Sequence, residues 1–180
     1  MRLFTAIDIP DRIKLRVSAL LASLRPFAKL AWSPVENLHV TTKFIGEWPE
    51  KSLDDVVRGL STAPKIGLIE VTVEGLGWFP NPHNPRVLWA GIKGNSALSL
   101  LASETDRILT TIGVPTESKE FHPHLTLARR RDATPVENLK TEISVLSSSE
   151  HQFGSFSADS FILYLSKAGR YVKLHEFPLT

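Results

Sequence analysis

Two short stretches of the chain carry one pattern, and that pattern confines what the rest can fold into. Residues 38–45 and 121–128 each alternate side chains as a β-strand does, with His39 and Thr41 in the first and His124 and Thr126 in the second. The histidines stand at positions 39 and 124, 85 residues apart, a separation too long for a solenoid repeat and suited to a duplication into two lobes. Because successive side chains of a strand point to opposite faces, His39, Thr41 and Lys43 are expected on one face and Val40, Thr42 and Phe44 on the other. The same alternation sets His124 and Thr126 opposite Leu125 and Leu127. Each strand thus offers an imidazole and a hydroxyl on a face whose reverse can anchor in a core, a rigid mount for a site.

The remaining pattern mixes both periods. Leu3, Thr5, Ile7 and Ile9 alternate with Phe4, Ala6 and Asp8 and are closed by Pro10, which predicts a strand with both faces largely covered. A helix follows, capped by Asp11, with Ile13, Val17, Leu20, Leu21 and Leu24 on one stripe up to Pro26. Further helices are expected over Leu53, Val56, Val57 and Leu60, after Asn95 with Leu98, Leu101, Ile108 and Ile112, and after Pro135 with Val136, Leu139, Ile143 and Leu146. Residues 67–79 and 86–93 read as strands joined by a stiff loop from Pro80 to Pro85. Three more strands lie near 151–156, 161–166 and 171–177, the last two joined by a hairpin turn at Lys167, Ala168, Gly169 and Arg170. Hairpin-like links and the lack of any Gly-rich dinucleotide or phosphate-loop fingerprint predict an α+β fold of antiparallel sheets, a single bilobal domain over 1–180, not a doubly wound nucleotide fold.

Composition narrows the chemistry. A chain of 180 residues, 42% of them hydrophobic, can bury a proper core. The absence of cysteine removes disulfides, thiolate nucleophiles and cysteine-held metals, leaving His, carboxylate, hydroxyl or a cofactor to act. The first residues read as structure and not as a secretion signal, and no apolar run approaches the roughly 18–20 residues that span a bilayer. A cytoplasmic protein without a membrane role is therefore expected. The net charge of +2 fits an anionic substrate without requiring one. Its one local concentration is Arg129, Arg130 and Arg131, of which the last two are expected in a solvated turn.

Two imidazoles with pKa values near about 6.5 can hydrolyse a phosphodiester without a metal, one taking a proton from the attacking water and the other giving one to the leaving oxygen. Thr41 and Thr126 can donate to the non-bridging oxygens, where charge builds. Arg129, five residues after His124, can clamp the same oxygens with a permanent planar charge. One His-x-Thr on a strand is a common accident, and it is the second copy in a matched half that turns the reading to function. A metal site is disfavoured, although His122 and His124 are close, because neither motif has an Asp or Glu neighbour on its face and the spacing matches no zinc or non-haem iron signature. A serine hydrolase is disfavoured for want of a Gly-x-Ser-x-Gly elbow. His122 falls near the groove by strand parity, but Pro123 disturbs that parity and a structural role stays equally open; His83 sits in a loop, His151 and His175 are read as satisfied or solvent-facing strand residues, and Trp32, Trp48, Trp78 and Trp89 as core or rim packing, with stacking of one on a base left open.

The segments Asn37-Leu38-His39-Val40-Thr41-Thr42-Lys43-Phe44-Ile45-Gly46-Glu47 and Phe121-His122-Pro123-His124-Leu125-Thr126-Leu127-Ala128-Arg129 resemble the paired signatures of the 2H phosphoesterases. More narrowly, they resemble the bacterial and archaeal RNA 2′,3′-cyclic phosphodiesterases, once called 2′-5′ RNA ligases. Pro85-Arg86-Val87-Leu88-Trp89-Ala90-Gly91 and Arg2-Leu3-Phe4-Thr5-Ala6-Ile7 fit as well. The resemblance implies two pseudo-symmetric lobes, each an antiparallel sheet with helices packed outside, enclosing a central groove. It implies hydrolysis of an RNA 2′,3′-cyclic phosphate end to a 2′-phosphomonoester, with no metal or other cofactor and no obligatory protein partner. By the same resemblance His39 is the proton donor to the departing 3′ oxygen, His124 is the base, and Thr41, Thr126 and Arg129 bind the phosphate. Thr42 departs from the leucine usual in this family, and by alternation it lies on the packing face, where a small effect on stability is expected. Two other readings stay open: a cyclic phosphodiesterase acting on a small nucleotide or ADP-ribose derivative, and a non-catalytic RNA-binding module, which the intact histidine pair argues against.

Overall fold

The computed structural model describes residues 1–180. Arg2–Asp8 (β1) is covered on both faces: Leu3 and Ile7 enter the main core, while Phe4 and Ala6 join Ile162 and Tyr164 in a second cluster on the opposite face. A strand covered in this way belongs inside a sheet. It pairs antiparallel with His39–Glu47 (β3) on one side and with Ser160–Lys167 (β8) on the other, and Arg170–Pro178 (β9) completes the order β3-β1-β8-β9. The second sheet is also antiparallel throughout and contains, in spatial order, Ala31–Trp32 (β2), His124–Arg129 (β6), Val87–Gly94 (β5), Ile69–Phe79 (β4) and Gln152–Ala158 (β7).

Each sheet draws strands from both ends of the chain, so the two lobes are not simply its first and second halves. Strands β8 and β9 return from the C-terminal end because β1, paired with β3 alone, would leave an unpaired row of N–H and C=O groups on an apolar strand. The α+β architecture itself stands, with four helices: Asp11–Leu24 (α1), Leu53–Leu60 (α2), Ser96–Thr110 (α3) and Glu137–Val145 (α4). The stripe Ile13, Val17, Leu20, Leu21 and Leu24 of α1 is buried. Its cap differs from expectation, since Pro10 occupies the N-cap and its carbonyl accepts the Ile13 and Lys14 N–H groups at 2.9 and 3.0 Å. Asp11 sits one position later, in the first turn, where a carboxylate suits the positive end of the helix. In α3 the stripe ends at Ile108, and Ile112 lies beyond the helix. No helix is long and apolar enough to cross a membrane.

Helices cross from sheet to sheet and join the cores. Helix α1 follows β1 but packs against β7, where the Arg12 and Arg16 guanidiniums donate to the Ser155 and Phe153 carbonyls. Helix α3 follows β5 but packs against β3, with Asp106 paired to Lys43. One apolar cluster accordingly includes Leu3, Ile7 and Val40 of the first sheet and Val71, Leu125 and Leu127 of the second. Where the sheets meet, β3 and β6 are neighbours, which brings the two motif strands together.

The β8–β9 hairpin has a two-residue loop, with Lys167 and Arg170 in register and φ of 50° at Ala168 and 78° at Gly169. Positive φ at both central positions is what a type I′ turn demands, and alanine at the first stores strain of about 1 kcal/mol. The Asn37 amide donates to the Gly169 carbonyl at 2.7 Å, so the turn's shape bears on the residue two before His39. Ala168→Asn, giving the Asn-Gly pair that favours this turn, is expected to raise stability by about 1 kcal/mol, read as a higher urea midpoint at constant m-value.

Candidate active site

Each motif strand carries one extra residue directly after its threonine. Along β3 the register runs Ala6↔Thr41 and then Thr5↔Lys43, skipping Thr42, and along β6 it runs Trp89↔Thr126 and then Leu88↔Ala128, skipping Leu127. Such a bulge sets two residues against one and breaks the alternation. Lys43 therefore does not share a face with His39 and Thr41 as alternation predicts. It turns inward and is buried, its ammonium donating to the Pro115 carbonyl at 2.7 Å and pairing with Asp106. Thr42 lies on the packing side as expected, its hydroxyl 2.7 Å from that of buried Thr5. Phe44, expected on the packing face, instead lines the groove with 54% of its surface exposed. The same shift in β6 carries Arg129, an odd number of positions from His124, back to the groove side.

All five residues singled out from the sequence, His39, Thr41, His124, Thr126 and Arg129, line one groove of about 650 Å³. The two histidines are held alike. His39 Nδ1 lies 2.7 Å from the Asn37 carbonyl, and His124 Nδ1 lies 2.7 Å from the His122 carbonyl. A carbonyl only accepts, so Nδ1 carries hydrogen in both rings and Nε2 is the nitrogen left for chemistry. His39 Nε2 lies 2.9 Å from the Thr41 hydroxyl, which donates to it when the ring is neutral. The Phe4 ring lies 4.8 Å from the His39 ring, and Tyr171 meets His39 edge-on at 5.1 Å. Phe79 meets His124 edge-on at 4.9 Å. Gly77 makes room for this second wall, since a Cβ there would fall 2.1 Å from the Trp89 ring that packs on Phe79.

Burial sets the protonation. Desolvation pulls His39 down to about 4, assisted by the positive charges that His124 and Arg129 bring near and opposed by the Asn37 carbonyl and Asp8. His124 is lowered too, first by burial and then by Arg129 and His122, against the pull of its own backbone bond. Both imidazoles are thus neutral at pH 7 in the free protein. An anion bound between them would oppose both shifts.

Three further placements bear on the site. The imidazole of His122 is exposed, and its part in the site is its carbonyl. Arg130 is not a solvated turn residue: its guanidinium donates to the Thr134 carbonyl at 2.6 Å and to the Pro85 carbonyl at 3.4 Å, lacing together the loops on either side of Arg129. Arg131 is exposed as expected. Ser33, directly after β2, supports β6, its hydroxyl donating to the Thr126 carbonyl at 2.7 Å and its N–H to the Leu127 carbonyl at 2.8 Å. No group of three or more His, Asp or Glu side chains converges as a metal would require. Neither Phe44 nor Tyr171 is distinguishable in the sequence from a packing aromatic. The only available signal for Phe44 is that it stands five residues after His39, as Arg129 stands after His124.

Known proteins resemble this chain over most of its length. The family described as LigT like Phosphoesterase matches residues 7–89 and 92–171. The chain is 34% identical over 167 residues to the RNA 2′,3′-cyclic phosphodiesterase of Methanocaldococcus jannaschii, covering 92% of this chain and 91% of that protein. It is 36% identical over 135 residues to the protein of the same name from Archaeoglobus fulgidus, covering 75% and 76%. Among solved structures, a Thermus thermophilus protein superposes with a TM-score of 0.78 at 28% identity, over 99% of this chain and 98% of that one. E. coli LigT complexed with 3′-AMP shares the fold at a TM-score of 0.75 and 24% identity, over 99% and 98%. The chain belongs to the LigT-like phosphoesterases of the 2H superfamily.

Proposed function

We propose that this protein, acting as a single bilobal domain over 1–180, hydrolyses RNA 2′,3′-cyclic phosphate ends to 2′-phosphomonoesters by metal-independent catalysis with two histidines. The observation that carries the reading is the matched pair of rings, each with Nδ1–H spent on a carbonyl 2.7 Å away and both facing one groove. Relatives named RNA 2′,3′-cyclic phosphodiesterase at 34% and 36% identity support the substrate.

The cyclic phosphate lies between the rings, with Arg129, Thr41 and Thr126 on its non-bridging oxygens. Neutral His124 takes a proton from water through Nε2 as the oxygen attacks phosphorus. The bond from phosphorus to the 3′ oxygen breaks, and that oxygen takes a proton from Nε2 of His39, charged in the complex because the phosphate anion favours the imidazolium. Protonation of Nε2 also ends its acceptance of the Thr41 hydroxyl, which then donates to phosphate. The products are a 2′-phosphomonoester and a free 3′ hydroxyl. By microscopic reversibility the same groups join a cyclic phosphate to a 5′ hydroxyl as a 2′-5′ bond. The protein acts in the cytoplasm and needs no protein partner for this chemistry.

Product analysis on an oligonucleotide ending in a 2′,3′-cyclic phosphate decides the reading. A 2′-monophosphate supports it. Preference for a small cyclic nucleotide shifts the substrate class, and tight binding with no product reduces the protein to a binding module. His39→Ala and His124→Ala are each expected to lower kcat by about 10²-fold or more with the circular dichroism spectrum unchanged. EDTA is expected to leave the rate as it was, and a loss restored by added metal would end the metal-free mechanism.

The pH dependence follows from the lowered histidines. The active pair holds one proton, and since both rings titrate below 6.5 in the free enzyme, that form peaks on the acid side. The maximum of kcat/KM, which reports the free enzyme, is expected below pH 6.5. The maximum of kcat is expected at higher pH, because bound phosphate raises both rings. Coincident maxima near neutrality would show that burial does not govern these groups.

A further inference from the structure

The residue two places before each histidine supplies the carbonyl that takes its Nδ1–H, yet the two residues are anchored differently. In the first wall it is Asn37, the last residue of a short helical turn, Val35–Asn37. Its N–H donates to the Pro34 carbonyl at 3.0 Å, and its side-chain amide donates to the Gly169 carbonyl at 2.7 Å, 132 positions away in the chain. In the second wall it is His122, outside any helix or strand, whose exposed imidazole faces Glu120 at 3.7 Å. The carbonyl serving His39 is thus tied to the tip of the β8–β9 hairpin, and the one serving His124 is not. The first sheet keeps β1 between β3 and β8, so no ladder bond joins that hairpin to the His39 strand, and the Asn37 amide crosses the gap. Asn37 lines the groove, as do Ser166 and Tyr171 on the hairpin, and Leu38, the one residue between Asn37 and His39, is buried. Tyr171 meets His39 edge-on at 5.1 Å, so the hairpin touches the ring directly and, through Asn37, the carbonyl that the ring bonds.

We propose that Asn37 is a positioning residue: its side-chain amide, by holding the closing hairpin, fixes its own carbonyl against His39 Nδ1 and so couples the proton donor to completion of the groove wall. The donor role of His39 rests on the phosphodiesterase reading. A carbonyl held at Nδ1 favours the imidazolium that gives its proton to the leaving oxygen and keeps Nε2 turned into the groove. With that carbonyl displaced, the neutral ring can carry its hydrogen on Nε2 instead, donating to the Thr41 hydroxyl where it now accepts from it.

Nitrogen NMR of the labelled free protein, well above the pH at which either ring titrates, reads the tautomer of each histidine without substrate. In the wild type both rings are expected in the Nδ1–H form. Asn37→Ala is expected to give His39 a measurable Nε2–H population and to leave His124 as it was. Asn37→Asp, of nearly the same shape but with no N–H to donate, is expected to do the same. On an oligonucleotide ending in a 2′,3′-cyclic phosphate, Asn37→Ala is expected to lower kcat by about fivefold, the worth of one hydrogen bond, with KM changed by less than about twofold. Asn37 is half-buried and lies outside the apolar core, so its truncation opens no cavity there, and circular dichroism checks the fold. A purely structural part gives another pattern, in which the loosened hairpin withdraws Ser166 and Tyr171, KM rises and the His39 tautomer stays. That pattern, or a tautomer moved by Asn37→Ala and not by Asn37→Asp, overturns the proposal. Lack of turnover by the wild type overturns the phosphodiesterase reading instead, and the nitrogen spectra still judge the link from Asn37 to His39.

Discussion

Successive side chains of a β-strand face opposite ways, so a histidine, the threonine two residues on and a third group three residues beyond that share a face only if the strand gains one residue between the second and the third. Both motif strands meet that condition with a bulge after the threonine. The gain in β3 turns Lys43 inward and Phe44 outward, and in β6 it doubles the buried pair Leu127 and Ala128 and frees Arg129. The bulges are held from behind. Thr42 bonds Thr5, Lys43 meets Asp106 and the Pro115 carbonyl, and Ser33 takes the Thr126 and Leu127 carbonyls. The groups touching the groove thus depend on contacts made on the far side of each strand.

Burial and tautomer act together on the two rings. A desolvated imidazole stays neutral unless something favours the charge, and the Asp8 carboxylate that does so for His39 is outweighed by desolvation together with His124 and Arg129. Meanwhile the backbone carbonyls of Asn37 and His122 fix which nitrogen is free, so the site needs no reorganisation of protons within the rings. The pairing of a carbonyl acceptor with a desolvated ring recurs in both walls, which is the physical content of the pseudo-symmetry. The walls differ at equivalent positions, and those differences give an otherwise two-fold site a head and a tail.

Much of this was legible in the sequence because it is local. The burial of β1, the stripe of α1, the hairpin at Ala168 and Gly169 and the strands bearing His39 and His124 all follow from periodicity and turn chemistry. What was not legible depends on partners. A bulge is a mismatch between two strands, so Thr42 and Leu127 give no sign of it alone, and alternation misplaced Lys43 and Phe44 accordingly. Sheet membership is non-local in the same way: nothing near β8 says that it will pair with β1. Arg130 looked solvated because its partners are backbone carbonyls of two loops, and carbonyls carry no sequence signature.

The return of β8 to pair with β1, with Arg2 opposite Ser166, also orders events during synthesis. Translation delivers the N-terminal segment first, at about 5–20 residues per second, so the β1 edge waits until residues 162–166 have been made. The second sheet needs nothing beyond residue 158, whereas the first needs residues 160–178. The wall bearing His39 is completed only when the closing hairpin emerges, and its tip then reaches Asn37. A chain lacking that hairpin holds both histidines yet lacks the side of the groove that Ser166 and Tyr171 supply, so the site forms only once the hairpin is in place.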